Sequence, residues 1–139
     1  MTVDEFKIEV PFEIITNWQE IVDILAEIIK VPAGLIMKYD DPEIVVLVSS
    51  RSKGNPYIRG QSEKLWSSGL YCETVIRTGK KLMVPNALED ENWKDNPDIK
   101  LDMISYLGYP LNLPDGRPFG TICVLDNKHN SYSEIYENL

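Results

Sequence analysis

At 139 residues, with 43% apolar and 26% charged side chains, the chain has the make-up of one globular domain able to bury a single core without disulfides or a structural metal. A formal net charge of -8 argues against a large phosphate-backbone footprint, and so against nucleic acid as a partner. No apolar run approaches the roughly 18–20 residues of a membrane span, and the acidic start Met1-Thr2-Val3-Asp4-Glu5 is unlike a secretory signal, so a cytoplasmic domain with no membrane insertion is expected.

Residues 2–10 alternate apolar and charged at Phe6, Ile8 and Val10, which suggests an extended arm. From Pro11, the positions Ile14, Trp18, Ile21, Leu25 and Ile28 follow helical 4-3-4-3 spacing, and Ile15, Val22 and Ile29 widen the stripe on one side. The helix should stop before Val31-Pro32. A stripe this broad either faces its own sheet throughout or keeps surface for a second helix or a second subunit.

Two strands follow, Leu35 to Tyr39 and Ile44 to Val48, turned by Asp40-Asp41-Pro42-Glu43 into an edge hairpin. Residues 49–68 are polar, with Gly54-Asn55-Pro56 and Gly60, and read as a loop in which Gln61 to Trp66 could form a short helix. Leu70 to Gly79 reads as a two-turn helix with Tyr71, Cys72, Val75 and Ile76 on one face and Gly79 as a left-handed stop. A short strand, Leu82 to Val84, leads into an acidic segment carrying Trp93 that is too long for an ordinary connection, and a lid over a pocket is expected there.

Met103 to Leu111 and Phe119 to Leu125 are two apolar runs joined through Asp115-Gly116, the signal of a central hairpin. After a turn at residues 126–130, Ser131 and Glu134 form a capping-box start for a last helix that runs to Leu139. Strands joined by hairpins with helices before and after define an α+β fold with an antiparallel sheet.

Reactive groups are few. His129 sits in a polar turn, as a surface residue does. Cys72 and Cys123 are far apart in sequence and in no metal-ligand spacing, so both are expected as reduced core thiols, with no metal and no cofactor. The lid acids Glu89, Asp90, Glu91, Asp95, Asp98 and Asp102 read as a solvated face, and Asp90 and Asn96-Pro97 as turn and cap residues.

Cys72-Glu73-Thr74-Val75, Val84-Pro85-Asn86-Ala87-Leu88-Glu89-Asp90, Asn96-Pro97, Tyr106-x-Gly108-x-Pro110-Leu111, Asp115-Gly116 and Gly120-Thr121-Ile122-Cys123-Val124-Leu125-Asp126 together resemble the pattern of bacterial GAF domains, in family order and at about family spacing. The resemblance implies a GAF/PAS-like sheet of five or six antiparallel strands, with the terminal helices on one face and short helices plus the lid enclosing a small-molecule pocket on the other. It further implies one GAF domain over residues 1–139, acting as the N-terminal input module of a longer signalling protein. Such modules pair as homodimers through the first and last helices and pass a signal to a covalently linked output such as a histidine kinase or diguanylate cyclase. The signature of cyclic-nucleotide-binding members has no equivalent here, and neither cysteine stands in a bilin-attachment context.

Within the implied enclosure, Trp66, Tyr71, Cys72, Val75, Trp93, Met103, Tyr106 and Cys123 are the candidate pocket residues for an unknown small molecule, although ordinary core packing uses the same side chains. Strand alternation separates Tyr106 from Tyr109, so only one of the two can line a pocket, and Tyr106 is favoured. Two other functions compete with sensing. One is a ligand-free dimerisation module; the other is a reductase of free methionine sulfoxide, which needs a closely placed resolving cysteine.

Overall fold

Two hairpins carry the sheet, and they join by pairing their inner strands. In the computed structural model, which describes residues 9–132, β1 (Ala33–Asp40) and β2 (Glu43–Ser49) form the first, and β5 (Ser105–Asn112) and β6 (Pro118–Asp126) the second. β1 then pairs antiparallel with β6, setting Leu35 opposite Cys123 and Met37 opposite Thr121. Short strands β3 (Ser62–Lys64) and β4 (Leu82–Val84) extend the edges to the order β3-β2-β1-β6-β5-β4. The arm around Phe6 and Ile8 and the body of the helix expected after Ser131 lie outside the described residues.

Strand β3 replaces the short helix expected over Gln61 to Trp66. Its three side chains are exposed and polar, so nothing in their pattern announces a strand; the open edge of β2 supplies the pairing, with Glu43 opposite Lys64 and Ile44 opposite Glu63. The β1–β2 hairpin is therefore one strand in from the edge. Met103 and Ile104, read as the start of a strand, instead close the lid before β5 begins.

Alternation along the strands divides the core. Ile36, Val48, Leu107, Ile122 and Val124 face α1 (Phe12–Ile29), whereas Leu35, Met37, Val46, Tyr106, Cys123 and Leu125 face α2 (Tyr71–Thr78) and the lid. Tyr109 accompanies Leu107 on the α1 side, so the two tyrosines do part. Gly34 lets α1 lie close to the sheet, since a Cβ there would stand 3.0 Å from the Val22 carbonyl oxygen.

That approach rotates α1 away from the expected line. The helix buries Ile15, Val22, Ala26 and Ile29, the flank of the predicted stripe, and half-buries Trp18 and Leu25. Ile14, Ile21, Ile28 and Ile24 are left 39%, 44%, 47% and 53% exposed. Polar ties hold this orientation: Asp23 accepts the Arg51 backbone N–H at 2.7 Å and its guanidinium at 2.7 and 2.9 Å, while the Gln19 amide donates to the Ser49 carbonyl at 2.7 Å. Lys30 then ends the helix in the left-handed region, its N–H returning to the Ala26 carbonyl.

Helix α2 starts with Glu73 reaching back to the N–H groups of Ser67 (2.6 Å) and Gly69 (3.0 Å), and stops at Gly79 with φ of 66°. The lid that follows β4 is pinned at both ends. The Ala87 N–H donates to the Ile104 carbonyl, and the Ile104 N–H to the Asp126 carbonyl at 3.0 Å. Inside it, Asn86 and Asn96 cap two 3-10 segments, Ala87–Glu89 and Pro97–Leu101, and Asp90 accepts the Asn92 N–H at 2.9 Å. The turn and cap duties expected of Asp90 and Asn96-Pro97 are thus met.

Candidate ligand cavity

A cavity of about 400 Å³ lies between the sheet and the lid, within the size range of small-molecule sites. Leu35 and Met37 of β1, Ile44 and Val46 of β2, Tyr106 of β5, and Cys123 and Leu125 of β6 supply its sheet side. Pro56 and Tyr57 of the polar loop and Gln61, Ser62 and Glu63 at β3 supply a wall. Leu70 and Cys72 at α2, with Pro97, Asp98 and Leu101 of the lid, complete it.

A buried carboxyl group is built into this largely apolar enclosure. Asp98 is only 8% exposed, and its Oδ1 accepts the Tyr57 hydroxyl at 2.7 Å while its backbone N–H donates to Asn96 Oδ1 at 2.9 Å. Burial pushes its carboxyl up to about 6 against the hydrogen bonds from Tyr57 and the Tyr71 backbone amide, which favour the charged form, and Glu63 pushes it further. Burial, and then the Asp98 charge, hold the Tyr57 phenol far above its ordinary value, so it stays a donor.

Aromatic rings link lid to sheet beside the cavity. Trp93 tilts against Tyr71 at 5.3 Å, and Tyr71 stacks on Tyr106 at 4.7 Å with 20° between the planes. The Tyr71 hydroxyl donates to the Met103 carbonyl at 3.0 Å. The Tyr106 ring lies over Gly108, where an added Cβ would sit 2.1 Å from its hydroxyl.

The two thiols, 51 positions apart, meet at the cavity wall. The hydrogen bond between them lowers Cys72 and raises Cys123 well above the ordinary thiol value, with burial opposing the first shift and adding to the second. Cys72 also lies 3.6 Å from the Thr121 hydroxyl and 3.8 Å from that of Tyr106. Their distance in sequence gives no sign of this meeting, which arises because α2 packs across β6. No histidine, lysine or arginine among the described residues lines the cavity, and His129 is exposed. Among the described residues no three His, Cys, Asp or Glu side chains converge as a metal site.

Of the eight candidates, Cys72, Tyr106 and Cys123 reach the cavity wall. Tyr71, Val75 and Met103 are fully packed in the core behind it, with Trp93 against them from the lid. Trp66 serves elsewhere: its indole N–H donates to the Tyr39 hydroxyl (3.2 Å) and Asp41 (3.3 Å), bracing the β1–β2 turn. Sequence reasoning missed Tyr57 and left Asp98 among the solvated lid acids. One signal was available, since side chains three apart in a 3-10 turn share a side and Asp98 precedes Leu101 by three.

An antiparallel α+β domain with a ligand-sized cavity closed by a lid defines the class. The chain belongs to the GAF domain family, whose sequence profile matches residues 18–139. Comparison with curated protein sequences returns no match. Among solved structures, the GAF domain of a phosphoenolpyruvate-protein phosphotransferase from Acinetobacter is similar at 23% identity over 86% of this chain and 70% of its own, with a TM-score of 0.67. The blue-light-absorbing form of the PixJ GAF domain from Thermosynechococcus elongatus follows at 17% identity over 94% and 82%, TM-score 0.67. Free methionine-R-sulfoxide reductase from Neisseria meningitidis, solved with its substrate, has 15% identity over 88% and 70%, TM-score 0.69. These likenesses are of fold; sensory domains and reductases both use it. No helix among the described residues is long and apolar enough to cross a membrane.

Proposed function

We propose that this chain is a cytoplasmic sensory domain, not itself an enzyme, that holds a small molecule in the cavity and passes the bound state through its terminal helices to an output domain such as a histidine kinase or diguanylate cyclase. The observation that carries this is the Tyr57–Asp98 hydrogen bond, which joins the polar loop to the lid at the cavity. A ligand there touches both segments and the β1 strand whose other face carries α1, so occupancy can bias a two-state arrangement of the helix. The test is a thermal-shift screen of the intact chain against a metabolite panel; saturable stabilisation supports sensing, and none across the panel counts against it.

Pairing with a second copy through α1 belongs to the same proposal. Ile14, Ile21 and Ile28 recur every seven residues with Ile24 between the last two, the spacing of a two-helix seam. A seam of this kind needs the same face on both helices, which a second copy provides.

The meeting of Cys72 and Cys123 favours one second reading, thiol chemistry of the sulfoxide-reductase kind. Against it stands the lack of a basic group at the pair among the described residues, and so of a cation to stabilise a thiolate. Methionine sulfoxide turnover that disappears in both Cys72→Ser and Cys123→Ser would establish the enzyme and displace the sensor.

A further inference from the structure

Resting on the sensory reading of the cavity, we propose that its ligand is a small organic cation: an ammonium group carried on a compact apolar body.

The charges at the wall are all of one sign. Among the described residues no lysine or arginine lines the cavity, while Asp98 and Glu63 both do. The groups acting most strongly on the Asp98 carboxyl are Tyr57, the Tyr71 amide and Glu63, and none is a cation. Burying a carboxylate away from water is unfavourable unless charge or hydrogen bonds offset it. Tyr57 offsets part. A neutral amide would accept the same hydrogen bond with less desolvation, so holding the Tyr57 segment does not by itself account for an acid here.

An ammonium supplies the missing counter-charge. It would donate to the oxygens of the Asp98 carboxylate, which lines the cavity beside Tyr57. Leu35, Met37, Ile44 and Val46 offer its apolar body a dry surface. Phosphates, nucleotides and carboxylic acids fit poorly, because each brings negative charge to a site with no basic residue.

The test uses the intact chain and two sets of shape-matched probes: phenethylamine, phenethyl alcohol and phenylacetate, then isoamylamine, isoamyl alcohol and isovalerate, each measured by calorimetric titration. The amines should bind about tenfold to a hundredfold more tightly than their alcohols, the range expected for one charge-assisted hydrogen bond. Asp98→Asn should remove that advantage and leave alcohol binding in place; Glu63→Gln should reduce it less, since Glu63 is exposed. Alcohols or acids that bind the unaltered chain as well as the amines overturn the cation preference and leave the cavity reading standing. Unchanged amine binding in Asp98→Asn also overturns it. If none of the six binds at millimolar concentration, the cation preference and the cavity reading fall together.

Discussion

Tyr57 and Asp98 lie 41 positions apart and are joined by a 2.7 Å hydrogen bond from phenol to carboxylate. Because the acceptor is a buried carboxylate, this bond is of the charge-assisted kind. Tyr57→Phe should therefore destabilise the domain by about 1.5–3 kcal/mol near neutral pH, read from urea unfolding. Hydrogen exchange at Ile99 and Leu101 should quicken as the lid loses its tie. Unaltered stability would show that the bond holds nothing.

Stability should also depend on pH through Asp98. Its carboxyl titrates at about 6 in the fold against an ordinary 3.8. The folded state thus holds the proton more tightly than the unfolded chain, so the group favours folding fully below the lower value, and that stabilisation is lost as pH rises through the higher one. The gap corresponds to roughly 3 kcal/mol at most. The Tyr57 phenol that faces it is held far above its ordinary value and stays a donor across this window, so subtracting the Asp98→Asn curve isolates the effect. A difference curve flat between about pH 4 and 7 contradicts the buried placement.

Gly108 is needed beneath Tyr106. A methyl group there would strike the ring within 2.1–2.5 Å, and the ring, pinned by Tyr71, cannot swing away freely. Gly108→Ala should cost about 1–3 kcal/mol by overpacking, and near-ultraviolet circular dichroism should report the displaced tyrosine stack. Gly116→Ala has open space around it, and any penalty there comes from its positive φ of 92° alone.

The isoleucine line of α1 predicts an oligomeric state. Ile21→Glu and Ile24→Glu place charge on the exposed face, away from the Val22 and Ala26 contacts. Sedimentation should find the unaltered chain as a dimer and both variants as monomers with little change in melting temperature. A monomeric unaltered chain removes the pairing.

Most of the sheet was legible because its signals are local. Asp115-Gly116 marks one hairpin, Asp41-Pro42 the other, and alternation parts Tyr106 from Tyr109. What was not legible depends on partners distant in sequence. β3 exists because β2 has an open edge, not because Ser62-Glu63-Lys64 prefers to be a strand. The apolar stripe of α1 has two flanks of similar character, and the choice falls to the close approach over Gly34. Asp98 looks like any of its acidic neighbours until the 3-10 turn carries it inward to meet Tyr57, and Cys72 and Cys123 become neighbours only once α2 lies on β6. Aromatic side chains drew attention to Trp93 and Trp66, yet aliphatic residues make most of the sheet side of the cavity.

The central claim, that the space between sheet and lid takes up a small molecule, is tested most directly by methyl chemical-shift mapping while the intact chain is titrated with the tightest of the six probes. Saturable shifts should concentrate on Leu35, Met37, Ile44, Val46 and Leu101, with Ile14 and Ile21 of α1 moving less and in proportion. Absence of saturable shifts at the cavity methyls, or shifts centred on the exposed face of α1, would contradict it.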